Sequence, residues 1–464
     1  TDKALDSGTQ AEYDSNNEST WLNDTEFKQN DYGSPSRSTD YTPYQNINLH
    51  QALSFEDGSG NIITGTGQVI SIMDQGFLVS GLGSNSSTHT EFIGKTITTV
   101  NDSYFTTYSN SNNWHGTFVA GVAAGNFGTG ASMGVAPGAS LHLFDHTWGT
   151  TNGNKPEYYA LGMASAEANG AVVSNNSWGF DDSQTLNASE TAYNATANVS
   201  TYVNYMNTNS LSGTQTLSNF ANLDTDNNGQ NDIYHAATAA QWQVYIDSLD
   251  SFQEEGVVVF ALSNNSNLGD ADVSAALPEL FSELNEAWIT VANVNIAGTT
   301  SQTFSLYSAP CGLTASYCLA ADGTNILGPG GNDYTIGGFT YENSTGTSFA
   351  APQVSGAVAL LAAHFPNHTP EALTDRLLAS ANNVIGFTQT GTVTFGNGVV
   401  HGYSNEAGHG ILDIYAALQP ITSDSYARNQ IYAGSNSIGQ SSFSLDSTRA
   451  NLSRSFGDAL EIGL

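Results

Sequence analysis

The chain has 464 residues, enough to bury a large core as one large domain with extensions or as two smaller domains. It carries 9 Lys and Arg residues against 43 Asp and Glu residues, and the net charge of −34 argues against nucleic acid or an anionic membrane as a partner. Only 11% of the residues are charged, so the imbalance comes mainly from scarce Lys and Arg. A surface filled instead with Asn, Ser, Thr and Gly is typical of a secreted protein adapted to salt or to cold.

The cysteines of the chain are expected to pair with each other. Cys311 and Cys318 are the only two, and they lie close together in a turn-rich stretch. In an exported chain such a pair is expected to oxidise, so we predict one short-loop disulfide in preference to two free thiols. No apolar run is long enough to span a bilayer, and Thr1 opens no basic and apolar signal segment, so we expect a mature or trimmed product.

The first part of the chain changes character near residue 47. Residues 1–46 are rich in Asp, Asn, Ser and Thr, and we predict a mobile or draped arm there, with order beginning near 47–53. Residues 68–73, Gln-Val-Ile-Ser-Ile-Met, predict a strand buried on both faces. Asp74 follows this strand directly, at the edge where open α/β sheets build their sites, although an Asp-x-Gly sequence also suits a simple turn.

Histidines occur in two different settings after this strand. Residues 113–125 predict a closely packed helix with His115 at its start, a position where a lone His is usually structural or solvated. His142 and His146 are predicted to be strand and loop residues and not metal ligands, because no other ligand stands at suitable spacing. Residues 171–179 then predict a strand that runs into a Gly-bearing edge, with Trp178 partly buried.

A possible metal loop lies at residues 224–232, where oxygen side chains alternate and a Gly occupies the sixth position. This pattern is typical of a structural calcium loop, although His235 stands where the bidentate Glu of an EF-hand would be, and a plain turn is the alternative. The predicted ligands are Asp224, Asp226, Asn228, Gln230 and Asp232. Residues 236–252 then have helical periodicity.

The last informative segments combine a strand end and a helix start. Residues 256–265 predict a fully buried strand that ends in polar residues, and 288–294 predict another strand. In 346–361 small residues crowd Ser348 ahead of an apolar run, so Ser348 is expected at a helix N-terminus, where unpaired N–H groups and the macrodipole favour negative charge. Pro352 is predicted to fall in the first turn of that helix, where its missing N–H costs little.

Three of these segments resemble the signatures of the subtilisin-like serine proteases, the subtilases. Residues 346–352 match Gly-Thr-Ser-x-Ala-x-Pro at every fixed position. Residues 115–121 match His-Gly-Thr-x-Val-Ala-Gly, with Phe where many members carry a second His. Residues 74–76 match Asp-Thr/Ser-Gly except that Gln75 replaces the hydroxyl residue, which puts one hydrogen bond to the Asp74 carboxylate in question. The order Asp, His, Ser is that of subtilisin.

The resemblance extends over residues 47–420 and implies an α/β fold, with a parallel sheet flanked by helices on both faces. It implies that Ser348 is the nucleophile, His115 its base and Asp74 the group that orients the base. It also implies that Asn264 donates to the oxyanion, with Asn265 as a lesser alternative because Ser263 replaces the usual Gly. The implied substrate channel is lined by Ser177, Trp178, Gly179, Ala261, Leu262 and Ser263.

The predicted organisation is therefore an arm at 1–46, a catalytic domain at 47–420 with an insertion at about 180–235, and a tail at 421–464. This tail resembles that of subtilase passengers of bacterial autotransporters, although a plain polar tail is the alternative. We expect a monomeric serine endopeptidase, secreted or on a bacterial cell surface, that acts on proteins or peptides. The alternatives are a protease of narrow specificity that processes itself or neighbouring surface proteins, and a pseudoprotease that only binds peptides.

Overall fold

The structure, a computed structural model, describes most of the chain. The described residues are 3–28, 41–100, 105–146, 156–179, 198–211, 214–220, 237–299 and 302–422. Within these ranges the helices are α1 (Lys3–Asp6), α2 (Ser15–Asn23), α3 (Thr25–Lys28), α4 (Pro43–Asn46), α5 (Leu49–Ala52), α6 (His115–Ala124), α7 (Pro156–Ala168), α8 (Val199–Thr208), α9 (Thr214–Phe220), α10 (Ala239–Gln253), α11 (Thr347–His364), α12 (Pro370–Ser380) and α13 (Ile414–Leu418). The strands are β1 (Glu12–Tyr13), β2 (Phe55–Glu56), β3 (Val69–Asp74), β4 (Ile97–Thr99), β5 (Ser140–Asp145), β6 (Ala171–Asn176), β7 (Val257–Ala261), β8 (Trp288–Ala297), β9 (Thr303–Leu306), β10 (Cys318–Ala321), β11 (Ile326–Ile336), β12 (Phe339–Ser344), β13 (Gly391–Thr394) and β14 (Val400–Tyr403).

A parallel sheet forms the centre of the molecule. Its strands lie in the order β10-β8-β7-β6-β3-β5-β4, and β9 adds to β8 in the antiparallel sense. After β3 the chain adds β4 and β5 on one side, with β5 next to β3, and then adds β6, β7, β8 and β10 on the other side. The order of the strands therefore reverses between β3 and β6. The carboxyl ends at such a reversal are where open α/β sheets bind their ligands.

Helices cover both faces of this sheet. α6 and α11 pack on one face, and α7 and α10 pack on the other. Each face has its own apolar core, because alternate residues of strands such as β7 point to opposite sides: Val257 and Val259 enter one core, Val258 and Phe260 the other. The predicted α/β fold, a parallel sheet between two helical layers, is confirmed.

The N-terminal residues are folded, which differs from the prediction that order begins near residue 47. α1, α2 and α3 lie against the domain, and Leu5, Trp21 and Phe27 are buried. The indole N–H of Trp21 donates to the Leu53 carbonyl at 2.9 Å. We refer to residues 3–28 as the arm. Its apolar side chains are too few to form a core alone, so they are buried only by packing on the rest of the chain.

Part of the predicted insertion can also be placed. α8 and α9 lie within 180–235 and bury apolar side chains in the core on the α10 side, where the Phe220 ring contacts Trp242. Residues 180–197 and 221–236 lie outside the described residues, as does the tail from 423 onward. The domain boundaries therefore stay predictions.

Two further predictions concern export. Cys311 and Cys318 form a disulfide, as predicted. It closes a loop of one 3₁₀ helix, Gly312–Tyr317, beside strand β10. Among the described residues, no helix is both long enough and apolar enough to cross a bilayer.

Candidate active site

Asp74 and His115 meet at the carboxyl edge of the sheet. Asp74 is the last residue of β3 and is buried, and His115 is the first residue of α6, as the sequence predicts for both. The Nδ1 atom of His115 lies 2.8 Å from Asp74 Oδ1 and 2.9 Å from Oδ2. The imidazole is 32% exposed, so a buried carboxylate holds one side of a ring whose other side remains accessible.

The start of α6 is fixed by the turn that follows β3. The N–H groups of Gly116 and Thr117, which have no partner within the helix, donate to the carbonyls of Gln75 at 2.6 Å and Gly76 at 3.3 Å. Gly76 has a φ of +76°, and a Cβ there would lie 2.2 Å from the Asn113 carbonyl oxygen. Only glycine permits this close contact between residue 76 and Asn113, and the contact places His115 beside Asp74.

The substitution at Gln75 removes a side-chain hydroxyl but keeps a backbone donor beside the Asp74 carboxylate. The backbone N–H of Gln75 donates to Asp74 Oδ1 at 2.7 Å, so the donor is the main chain and not the side-chain amide. Burial lowers the pKa of His115, but the negative charge of Asp74 and the hydrogen bond to it outweigh this effect and raise the pKa above its ordinary value. The pair therefore stabilises the imidazolium that forms when His115 accepts a proton.

Ser348 is the second residue of α11 and is nearly buried, as predicted. Its hydroxyl donates to the Ser177 carbonyl at 3.3 Å, and among the described residues no hydrogen bond joins it to His115. The rings of His115 and Phe349, the next residue of α11, have centroids 5.6 Å apart. The imidazole therefore lies beside the start of α11, and catalytic hydrogen bonds of this kind often form only when substrate is bound.

Pro352 corrects one prediction. It is the sixth residue of α11 and not part of the first turn, so it deprives the Ser348 carbonyl of its partner within the helix. The Ser177 hydroxyl donates to that carbonyl at 3.0 Å instead. Ser177 thus makes two hydrogen bonds with Ser348, one through its own hydroxyl and one through its carbonyl, and these join the end of β6 to the start of α11.

A buried polar chain behind Ser177 was missed by the sequence analysis. The Asn175 amide donates to Ser177 Oγ at 2.9 Å, and the Ser355 hydroxyl donates to Asn175 Oδ1 at 2.9 Å. All three side chains are buried. The available signal was polar residues in otherwise buried elements, Asn175 in β6 and Ser355 in the apolar α11, because such groups must find partners.

Asn264 follows β7 and reaches the start of α11. Its Oδ1 accepts hydrogen bonds from the Thr347 N–H at 2.9 Å and the Thr347 hydroxyl at 3.0 Å. The anchored oxygen leaves the amide nitrogen as a donor beside Ser348. Asn265 instead closes its own turn, because its Oδ1 accepts from the Asn267 N–H at 3.1 Å. The structure therefore brings Asn264, and not Asn265, to the serine.

The predicted channel residues fall on two neighbouring walls. Asn176, the last residue of β6, pairs with Phe260 of β7, so the segments 177–179 and 261–263 continue side by side from the sheet. The Trp178 ring packs on Tyr159, with centroids 4.6 Å apart, and against Phe260. Ala261 and Leu262 are buried. Trp178 therefore contributes its side chain to the α7 face, and Gly179 adds no side chain to its wall.

The two other histidines predicted from the sequence lie in and next to strand β5. His142 lies in β5, where its Nδ1 bonds to the Thr98 hydroxyl at 2.9 Å, and His146 follows that strand with its N–H on the Asp74 carbonyl at 3.2 Å. The calcium loop at 224–232 lies outside the described residues. Within the part of the chain that the structure describes, no group of three His, Cys, Asp or Glu residues forms a metal site.

Comparison with known proteins gives the following matches. The chain is 25% identical over 368 residues to an extracellular serine protease of Serratia marcescens, covering 73% of this chain and 32% of the relative. It is 25% identical over 325 residues to fervidolysin of Fervidobacterium pennivorans, covering 66% of this chain and 34% of the relative. The crystal structure of fervidolysin, described as a keratinolytic enzyme related to subtilisin, matches with a TM-score of 0.47 at 21% identity, covering 77% of this chain and 43% of that one.

The chain spans about a third of the length of these two relatives. The sequence profile described as the subtilase family matches residues 65–410, well over half of the chain. This match includes Asp74, His115, Asn264 and Ser348, the residues that the fold gathers at one edge of the sheet. The chain belongs to the subtilase family of serine peptidases.

Proposed function

We propose that this chain is a serine endopeptidase that hydrolyses peptide bonds through Asp74, His115 and Ser348, with Asn264 as an oxyanion donor. The observation that carries the proposal is the Asp74–His115 pair, 2.8 Å apart, at the same edge as a serine that starts a helix. Each group supplies what acyl transfer requires: a nucleophile, a base, a fixed charge behind the base and a donor for developing negative charge.

The reaction begins when the Ser348 hydroxyl leaves the Ser177 carbonyl and turns to His115. Ser348 Oγ attacks the scissile carbonyl carbon while His115 Nε2 takes its proton, and Asp74 stabilises the resulting imidazolium. The carbonyl oxygen becomes an oxyanion, which the Asn264 amide and the Ser348 N–H at the helix start stabilise.

Collapse of this intermediate breaks the C–N bond, and His115 returns the proton to the leaving amine. A water molecule then attacks the acyl-enzyme, losing a proton to His115, and the second collapse releases the carboxylic acid and restores the Ser348 hydroxyl.

Replacing the nucleophile tests the proposal. Ser348→Ala is expected to retain the fold and to lose about 10⁶ in kcat, the typical cost of removing the serine of such a triad. Ser380→Ala is the matched control, because it removes a buried hydroxyl in α12 that, among the described residues, bonds to Leu377 of the same helix. The measurements are hydrolysis of denatured casein and labelling by a fluorophosphonate, which should modify wild type and Ser380→Ala alone. Casein hydrolysis by Ser348→Ala at the wild-type rate would contradict the proposal.

Breadth of cleavage separates two forms of this activity. We infer broad endopeptidase action, and the number of casein fragments distinguishes it from processing of the chain itself or of neighbouring surface proteins at a few sites. A pseudoprotease would yield no fragments and no fluorophosphonate adduct.

The same proposal includes secretion. Its support is the Cys311–Cys318 disulfide, which is typical of oxidising compartments, together with the relatives named extracellular serine proteases. The autotransporter type and a structural calcium ion at 224–232 stay predictions.

A further inference from the structure

A carboxylate that the mechanism does not use closes the gap between the two channel walls. Asp272 accepts a hydrogen bond from the Ser263 N–H at 2.7 Å through Oδ2, so it is attached to the wall formed by 261–263. Its Oδ1 faces the other wall, where a Cβ placed on Gly179 would lie 3.4 Å away. Asp272 therefore touches both walls at the bottom of the gap between them.

This gap lies where the side chain of a bound peptide must enter. Ser348 is hydrogen-bonded to Ser177, the first residue of one wall. Gly179 is two residues farther along, roughly 7 Å at the rise of an extended chain. The P1 residue, whose carbonyl Ser348 attacks, therefore projects its side chain between the walls toward Asp272. A P1 side chain of the length of Lys or Arg spans this depth.

Gly179 allows its wall to lie directly against Ser274 and Asp272. A Cβ at this position would lie 2.8 Å from Ser274 Oγ, closer than carbon atoms are found to such an oxygen. The Trp178 ring does not fill the gap either, because it packs against Tyr159 and Phe260. The floor of the gap is therefore polar and acidic.

Asp272 is a buried carboxyl group with no Lys or Arg partner among the described residues. It is 5% exposed, and besides Ser263 it accepts from the Ser274 hydroxyl and from the Ala275 N–H at 3.2 Å. No Lys or Arg forms a salt bridge with it within the described ranges, where the ion pairs found involve His. Burial raises the pKa of this carboxyl, and the hydrogen bonds that it accepts lower the pKa only in part. A buried carboxylate in this state gains most from an incoming cation.

We propose that Asp272 is the specificity-determining residue of this protease and selects peptides with Lys or Arg at P1. The inference rests on the proposed function, because it assigns a substrate class to the same site. Its physical basis is that a cationic P1 side chain supplies the missing countercharge, while an apolar side chain leaves the carboxylate buried and unpaired.

The test compares two peptides that differ only at P1, one with Lys and one with norleucine, which has the same carbon chain without the ammonium. The ratio of their kcat/KM values cancels any common loss of activity. Wild type is expected to favour Lys by at least about tenfold, equal to 1.4 kcal/mol. Asp272→Asn should lower this ratio at least tenfold, and Asp270→Asn, a nearby buried carboxylate that bonds to Leu313 at 2.8 Å, should leave it within twofold.

A measurement on wild type alone guards against misfolding of the variant. Benzamidine carries the positive charge of a basic P1 side chain, and benzamide is its neutral counterpart. We expect benzamidine to inhibit at least tenfold more tightly. Equal inhibition, a wild-type preference for norleucine, or an unchanged ratio in Asp272→Asn would each overturn the inference while leaving the protease assignment intact. Failure of wild type to cleave either peptide would instead overturn the proposed function, and this inference with it.

Discussion

The active edge and the arm are held in place in different ways. At the active edge, which comprises Asp74, His115, Asn264 and Ser348, the decisive bonds join each residue to the ends of neighbouring elements, as when the N–H of Gly116 meets the carbonyl of Gln75. The bonds that hold the arm join it to distant parts of the chain. The hydrogen bonds of the active edge involve residues within or next to short sequence motifs. The hydrogen bonds of the arm form only when distant parts of the chain have packed together.

Arg376 shows how the arm is attached. This residue of α12 is fully buried, and its guanidinium donates to the carbonyls of Ala417 at 2.8 Å, Gln419 at 2.7 Å and Ala4 of the arm. It also lies over the Phe365 ring, 4.2 Å from the centroid. We call Arg376 and these three carbonyls the terminal clasp. No chemistry depends on it, so changes at the clasp should affect stability, and changes at the active edge should affect rate.

The largest effect is expected from opening the terminal clasp. Arg376→Met keeps much of the apolar packing but leaves three carbonyls without their donor, so the free energy of unfolding should fall by about 3–5 kcal/mol. Urea denaturation measures this loss, and Arg376→Lys, which keeps one cationic donor, should lose less. The kcat of the folded variant should match wild type. A loss of stability below about 1 kcal/mol would show that the arm is held by other contacts.

Removing the oxyanion donor tests the other half of the comparison. Asn264→Ala should lower kcat by about 10²–10³, because the developing negative charge loses one donor, with KM little changed. Asn265→Ala, which alters only the neighbouring turn, is the matched control and should retain most of the activity. Steady-state kinetics measures both. A kcat of Asn264→Ala within a factor of three of wild type would remove this residue from the oxyanion site.

The sequence predicts the active edge well because its determinants are local. Asp74 ends an apolar run, His115 starts a helix of small residues and Ser348 starts another, and each location was confirmed. The exception is instructive. The hydrogen bond from the Ser177 hydroxyl to the Ser348 carbonyl forms because Pro352 lies in the second turn of α11. The number of helical residues before a proline cannot be read from the motif itself.

The start of the ordered chain was predicted too late because the contacts that stabilise the arm span the chain. Trp21 bonds to Leu53, and Ala4 bonds to Arg376, 372 positions away. Composition reports only that the segment is polar, and the few apolar residues acquire meaning when their distant partners are known. Asp272 was missed for a similar reason, because a single Asp in a loop carries no periodic or motif signal.

The smallest effect concerns a second anchor of the arm, formed by two carboxylates. Glu26 of the arm accepts from the N–H groups of Gly128 at 2.6 Å and Gly130 at 3.2 Å. The buried Glu91 holds the same loop, accepting from the Ala131 N–H at 3.2 Å and the Tyr341 hydroxyl at 2.8 Å. Burial raises the pKa of Glu91 to about 7, although these hydrogen bonds lower it in part.

This raised pKa gives the anchor a pH dependence opposite to that of the active edge. The folded chain binds the Glu91 proton more tightly than the unfolded chain does, so the associated stability is fully present below about pH 4.5 and is lost as the pH rises through about 7. Activity changes in the other direction, because His115 must be neutral to accept the Ser348 proton. Glu91→Gln, which stays neutral, should therefore gain about 2–3 kcal/mol relative to wild type between pH 5 and pH 8. Urea denaturation at both pH values measures this gain, with Glu342→Gln as the control for loss of one charge. Equal differences at the two pH values would mean that Glu91 is ionised throughout and that its hydrogen bonds outweigh the cost of its burial.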